Sequence, residues 1–402
     1  MRLPVAVILF TVMIDAMGVG LILPVMPDLI LDVRGGSLAE AAVWGGILST
    51  SFAVMQFLFG PLVGSLSDAI GRRPVILVSL FALGVDYLVM ATAGSIWLLL
   101  LGRMLGGLTS ATYATATAYM ADISEPGQKA ANFGLVSGAF GAGFVLGPLI
   151  GGLLGEFGPR APFYAAAALA MMNGLLGLYA LRETVTDRIR RPFSWRRANP
   201  FGAFRHMARL PGILTLLVVL LLYQLAINSY SAVWAYFTQA RFAWTPQVIG
   251  LSLGLYGITV ALVQGGFIRP ALRRWGEWRT VVLGQGFEIC AFVAIVVMPW
   301  STGLLVLTPL AAFGAITIPA LQGLMSRRVG DDEQGALQGV IVSANALAMI
   351  LSPLVMTSIF AAFTHDGAAL HFPGAPFVLA GLLVVASLAV FLRAGPSEPP
   401  PT

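Results

Sequence analysis

Four ionisable residues stand inside long apolar runs: Asp15 in VMIDAMGVGLILPVMP, Asp86 in SLFALGVDYLVMA, Arg103 in LGRMLGGLTSAT and Glu288 in GQGFEICAF. Placing a charge at the centre of a membrane helix costs about 2.5 to 3.5 kcal/mol on insertion scales, so a chain that keeps four such residues has a use for them. The chemistry open to them is proton exchange. Burial favours a neutral carboxyl, a neighbouring cation favours the carboxylate, and the balance decides whether such a group loads and releases protons near neutral pH. An arginine at membrane depth needs a partner or water, which makes Asp15, Asp86 or a central cavity the expected neighbour of Arg103. The competing reading for each acid is a hydrogen bond that only holds helices together, and for Asp86 depth alone does not separate the two.

These residues need membrane helices to position them. The 402 residues are 58% hydrophobic and 10% charged, with mean hydropathy +0.87, against about 25% charged in soluble domains. Apolar runs long enough to span a bilayer recur along the chain, at about 4 to 30, 42 to 64, 74 to 93, 96 to 120, 130 to 154, 161 to 181, 212 to 238, 247 to 267, 280 to 299, 303 to 324, 336 to 362 and 374 to 393. None alternates as barrel strands do. The expected fold is an all-α integral membrane protein of twelve transmembrane helices. The first run is too long for the apolar core of a secretory signal and lacks a small-residue cleavage site, so it counts as a mature helix.

An even count puts both termini on one side. Arg72, Arg73, Lys129, the cluster Arg182 to Arg209, Arg269, Arg273, Arg274, Arg279, Arg327 and Arg328 fall in alternate inter-helix segments, whereas the others offer Arg34, Arg160 and Arg241. The positive-inside rule makes both termini cytoplasmic. The net charge of +5 is thus a topology signal rather than a nucleic-acid footprint. Cys290 is the single cysteine, so no intrachain disulfide forms, and its apolar helix gives it a packing role.

Hydropathy collapses between Arg182 and Pro211 into a basic, aromatic-bearing stretch suited to lie along anionic headgroups. It divides a bundle over 1–181 from one over 212–394, with 182–211 as a cytoplasmic linker and 395–402 as a disordered tail. The halves match at an offset of 205 residues: Gly134 falls on Gly339, Pro148 on Pro353, and Gly71 on Gly276. The same offset sets Arg273 on Asp68 and Glu277 on Arg72, inverting their charges. Two pseudo-symmetric six-helix bundles of this kind are a transporter architecture, with the substrate bound near mid-membrane.

Two motifs sharpen this. The stretch GSLSDAIGRRP, Gly64 to Pro74, combines Gly64 and Gly71 with Asp68, Arg72 and Arg73 in a loop after the second helix. Helix 5 carries GAGFVLGPLIGG, with Gly143, Gly147 and Gly151 on one face and Pro148 beside them, a spacing that lets helices pack closely. The first resembles the cytoplasmic loop signature of the major facilitator superfamily. By that resemblance Asp68 and its arginines form a cytoplasmic gate, with Asp68 meeting the positive N-terminal end of a second-half helix, most simply helix 11. The second resembles the signature of the drug:proton antiporter branch.

Flanking words such as DAMGVGLILPVMP, LGRMLGGLTSAT and PALQGLMS resemble bacterial tetracycline efflux proteins from helix 1 through helix 11. That resemblance implies proton coupling through Asp15, Asp86, Arg103 and Glu288, cavity-facing amides at Gln56 and Gln322, and exchange of a metal-tetracycline chelate for protons. Three positions depart from it. Val260 stands where those proteins carry histidine, Glu288 replaces aspartate, and Ala69 replaces a basic residue. The expected substrate therefore widens to other amphipathic drugs. Tyr223, Gln224, Asn228, Tyr230 and Asn345 are further candidates for the substrate cavity.

The expected protein is a drug exporter of the bacterial inner membrane, multi-pass and monomeric, whose partners are the drug, protons and lipid. It needs no cofactor, and any Mg2+ arrives chelated by the substrate. A transporter of the same fold for a metabolite or sugar is the nearest alternative. His206, His365 and His371 lie in the linker or the last external loop, which leaves no histidines for an intramembrane haem or zinc centre. No GxxxxGK[ST] loop for direct ATP drive is present either.

Overall fold

Inside hydrocarbon every backbone N–H and C=O must be satisfied within the chain, and apolar runs of this length resolve that requirement as helices. The computed structural model describes residues 3–110, 112–186, 190, 192–193, 213–330 and 333–395. Most of the expected linker and tail, His206 among them, lie outside the described residues. The helices are α1 (Leu3–Ile22), α2 (Met26–Arg34), α3 (Leu38–Ile70), α4 (Arg72–Thr92), α5 (Ile96–Thr109), α6 (Thr112–Ile123), α7 (Lys129–Gly155) and α8 (Ala161–Ala180). They continue with α9 (Ile213–Phe242), α10 (Pro246–Leu262), α11 (Ile268–Val297), α12 (Ser301–Ala311), α13 (Thr317–Ser326), α14 (Gln334–Ala362) and α15 (Ala375–Arg393).

Ten described stretches are long and apolar enough to cross a membrane. One of them, Pro246–Val297, runs through α10 and α11 and is broken at Gly276, which makes two spans of it. The pair α5 and α6, at 14 and 12 residues, supplies the remaining one. The twelve-helix, all-α membrane fold stands on this count.

Several element ends differ from those read in the sequence, each for a local reason. The first run breaks after Ile22, and Pro27, near the start of α2, opens a separate short helix with Asp28 in its first turn. The expected loop from Gly64 is helical through Ile70, since its charged residues keep the 3.6-residue ladder once clear of the bilayer core. Only Gly71 is out of it, at φ 119°, ψ 154°. Its repeat partner Gly276 does the same at φ 70°, ψ 170°. Both sit in a backbone region that glycine alone populates, so one residue per half makes the whole turn between two helices. The tenth span is interrupted by a tighter 3-10 segment, Ala312–Ile316, after Pro309.

The described residues group into two compact units, those within Met1–Pro200 and Ala243–Gly254, and those within Phe201–Phe242 and Leu255–Thr402. The first unit is built on the packing of α1 against α7. A Cβ on Gly143, Gly147 or Gly151 would strike the α1 backbone at Met13, Met17 and Leu21 respectively, so the glycine stripe is what allows the two backbones to touch. The stripe continues at Gly152, which meets Pro246 and Gly250 at the start of α10. That contact is why Ala243–Gly254 belongs with the first unit. Ile8, Val12, Ile76, Leu80, Met120 and Val136 fill one of its cores. In the second unit Leu216 and Leu220 of α9 share one core with Leu321, Met325 and Ile341, and Trp278 stacks on Phe391 with ring centroids 4.0 Å apart.

A valine at Gly147 has backbone rather than a flexible side chain to push against, and overpacking of this kind costs about 1 to 3 kcal/mol or more. Gly147→Val is expected to lower the apparent melting temperature in detergent by several degrees. Gly138→Val, at a position with no atom within 4 Å, is expected to leave it unchanged.

Candidate functional site

In the first unit, α4 brings Asp86 against α5, where Arg103 Nη2 donates to Asp86 Oδ2 at 2.6 Å. The neighbouring glycines make this approach possible. A Cβ on Gly106 would collide with the Asp86 carboxylate, and one on Gly102 would stand 2.9 Å from Oδ1. The guanidinium also lies over the Phe52 ring of α3, 5.4 Å from its centroid. The pair is almost wholly buried, at 1% and 8% exposure, and it is not saturated. Asp86 Oδ1 and Arg103 Nε have no hydrogen-bond partner among the described residues. Of the two acids open to Arg103 in the sequence, the structure selects Asp86.

Asp15, on α1, is half-buried and makes no hydrogen bond or ion pair among the described residues. One turn further on, Gly18 abuts the Tyr87 hydroxyl, so α1 meets α4 next to the residue that follows Asp86. Thr11 and Asn173 exchange side-chain hydrogen bonds at 3.3 and 3.1 Å and tie α1 to α8.

In the second unit, α11 carries Glu288, 1% exposed and held by neutral groups alone. Tyr230 Oη donates to Oε1 at 3.0 Å and Tyr223 Oη reaches Oε2 at 3.3 Å, both from α9. The tyrosines stand seven residues apart, two helical turns, which puts them on one face. Tyr223 is also 2.8 Å from the carbonyl of Gly314, and a side chain on Gly314 would run into Glu288. Tyr230 in turn packs on Phe292 and Tyr256, with centroids 5.2 and 5.6 Å apart. Tyr223 and Tyr230 are both hydrogen-bond partners of Glu288 in this structure.

The predicted amides separate in the same way. Gln224 donates to Asn345, bridging α9 and α14, and Asn228 donates back to the Gln224 carbonyl at 2.7 Å. Gln56 and Gln322 are half-buried and make no hydrogen bond among the described residues. Gln285, one turn before Glu288 and fully buried, leaves both amide atoms without a partner among the described residues. No aspect of its sequence context singled it out.

At the Gly71 turn, Asp68 pairs with Arg72 at 2.6 Å, and Arg72 Nε reaches Asp122 at 3.3 Å. Arg72 also donates to Ser67 Oγ at 3.0 Å. The start of α4 is capped by Glu183, which accepts from Arg72 N at 2.9 Å and Arg73 N at 3.2 Å. At the Gly276 turn, Glu277 pairs with Arg327. Arg327 lies 205 residues beyond Asp122, as Glu277 does beyond Arg72, so the same contact recurs with both signs reversed. Asp122, Glu183 and Arg327 were not picked out as partners in the sequence. Applying the repeat offset to every charged residue would have found the pair Asp122 and Arg327.

The family model of the Major Facilitator Superfamily matches residues 8–353. The chain belongs to the Major Facilitator Superfamily. Within it, this member is 41% identical over 357 residues to the class C tetracycline resistance protein of Escherichia coli, covering 89% of both chains. It is 37% identical over 364 residues to the class G protein of Vibrio anguillarum, covering 90% of this chain and 91% of the other. Among solved structures it superposes on the human organic anion transporter MFSD10 with a TM-score of 0.69 at 25% identity, covering 97% of this chain and 99% of that one. It also superposes on the nucleoside transporter NupG with a TM-score of 0.80 at 16% identity, covering 99% and 100%.

Removing one partner of a buried ion pair strands the other charge, at a cost of about 3 to 5 kcal/mol. Arg103→Ala is expected to reduce the yield of folded, monodisperse protein on size exclusion. Adding Asp86→Asn should recover much of that yield, because the stranded carboxylate is gone.

Proposed function

We propose that this chain is a proton-coupled antiporter that exports tetracyclines or other amphipathic drugs across the bacterial inner membrane. The observation that carries this reading is the set of three membrane-embedded carboxyls, Asp15, Asp86 and Glu288, in a chain 41% identical to a tetracycline resistance protein over 89% of its length. Their surroundings give them different work. Asp86 is paired with Arg103 and is the cation-partnered acid of the first unit. Asp15 and Glu288 have no ion-pair partner among the described residues, so gaining or losing a proton changes the local charge by a full unit.

Proton loading on one side of the membrane favours one facing of the carrier, and drug binding favours the other. The differential affinity of the two ligands for the two facings is what couples them. Asp68, Arg72 and Arg73 at the Gly71 turn, with Gly64, make up the cytoplasmic gate, both termini being cytoplasmic. Gln56, Gln322, Gln224, Asn228 and Asn345 offer amide donors and acceptors suited to a flat, oxygen-rich polycycle. Mg2+ takes part only as the ion chelated by such a substrate. The protein works as a monomer in the lipid bilayer and carries out transport, not covalent chemistry.

The experiment is reconstitution into proteoliposomes with an imposed pH gradient, following tetracycline with Mg2+ beside a panel of lipophilic cations. Wild type is expected to move tetracycline against its gradient, and Asp15→Asn to abolish that movement while leaving the protein folded. Movement of the cation panel without tetracycline would keep the antiport mechanism and change the substrate class. Movement of neither would overturn the drug-export reading.

A further inference from the structure

Tyr223 has one hydroxyl proton and two acceptors within reach. Its Oη lies 2.8 Å from the Gly314 carbonyl and 3.3 Å from Glu288 Oε2. An O–H donates one strong hydrogen bond at a time, so the two contacts cannot both be donations from tyrosine. If the proton points at Gly314, the contact to Glu288 is satisfied only when Glu288 is protonated and donates to the phenol oxygen. If Glu288 has lost its proton, its carboxylate is the stronger acceptor, since hydrogen bonds to an ion are about twice as strong as neutral ones. The phenol proton then turns to it and leaves Gly314.

Gly314 is not in an ordinary helix. It sits in the 3-10 segment Ala312–Ile316 that separates α12 from α13, and its carbonyl already accepts from the Thr317 N–H. The Tyr223 hydroxyl is a second donor to that carbonyl, reaching across from α9 and fastening the break to it. Short 3-10 stretches within helices mark hinges, and the absence of a side chain on Gly314 is what lets Glu288 and Tyr223 share the space.

We propose that the Tyr223 hydroxyl is a two-position positioning group: it fastens the Ala312–Ile316 break to α9 while Glu288 is protonated, and lets it go when Glu288 ionises and takes the phenol proton's hydrogen bond. No proton leaves the tyrosine in this switch. Only the direction of its O–H bond changes, and the single proton exchanged belongs to Glu288. The other groups facing Glu288 are Tyr230 from α9 and Tyr256 from α10, and Thr317 faces the Tyr223 phenol from the end of the break. No ion-pair partner reaches Glu288 from any element packed on it among the described residues. Glu288 is the carboxyl of this cluster, and in this switch proton loss there becomes a change in how the tenth span is held.

This rests on the reading of Glu288 as a proton carrier, and the test separates the two. Hydrogen exchange read by mass spectrometry on the full chain in lipid nanodiscs, corrected for intrinsic rates, reports the protection of residues 312–318 at pH 5.5 and 8.5. Wild type is expected to lose protection there several-fold at the higher pH. Glu288→Gln should stay protected at both, and Tyr223→Phe should stay unprotected at both. Tyr230→Phe removes a hydroxyl from the same carboxyl without touching Gly314, and should keep a pH-dependent break. Protection that is independent of pH in wild type, or that remains pH-dependent in Tyr223→Phe or Glu288→Gln, overturns the switch. Gradient-driven export that survives Glu288→Gln overturns instead the assignment of Glu288 as a carrier.

Discussion

A carboxylate in hydrocarbon must take its counter-charge or its hydrogen bonds from the protein, and much of the packing in both units follows from that demand. Asp86 meets it with Arg103, which requires α4 and α5 to approach closely enough that Gly102 and Gly106 can carry no side chain. Glu288 meets it with two phenols, which requires α9, α11 and the 3-10 break to converge and leaves Gly314 as the only residue that fits. Asp15 does not meet it with any described side chain. Three acids at membrane depth thus have three electrostatic conditions: paired with a cation, held by neutral donors, and unpartnered. A set of identical environments would make the three acids equivalent, whereas these set the one with a cation beside it apart from the two without.

The duplicated architecture preserves its turns and abandons its core. Gly71 and Gly276 break the chain at corresponding positions in the same glycine-only conformation, and the ion pair beside each links corresponding residues with its sign reversed. The buried ionisable residues show no such correspondence. At the repeat offset Asp86 falls on Ala291, Arg103 on Thr308, and Glu288 on Leu83. The turns need one backbone geometry and one neutralised pair whichever way the charges are written, so either sign serves. A coupling site must distinguish two occupants, and that favours halves that differ.

Most of the span count was legible because a bilayer imposes a length and a composition on every crossing, and twelve runs carried both. The depth of the four ionisable residues was legible for the same reason. Helix ends were not, since a helix continues outside the bilayer for as long as its backbone is satisfied; hence α3 runs through the charged motif to Ile70. Partners were legible only where few choices existed: Arg103 had two acids within plausible reach and took one. Tyr223 and Tyr230 carried the right spacing for one helix face, yet nothing in the sequence says that the face is turned to Glu288. Glu183 was hidden by its setting in a basic stretch, where an acid reads as a minority charge rather than as a helix cap.

Glu183 also redraws where the first half of the polypeptide ends. Its carboxylate accepts from the backbone N–H groups of Arg72, Arg73, Thr184 and Val185, knotting the chain that leaves α8 onto the chain that enters α4. Thr184 adds a bond to Asp122 at 2.9 Å. The residues just past α8 are therefore part of the folded body, although their composition matches that of the spacer that follows. Two co-expressed fragments divided just beyond Thr186 would leave the cap with α4. A division at Leu181 would take the cap from α4 and hand it to the wrong piece.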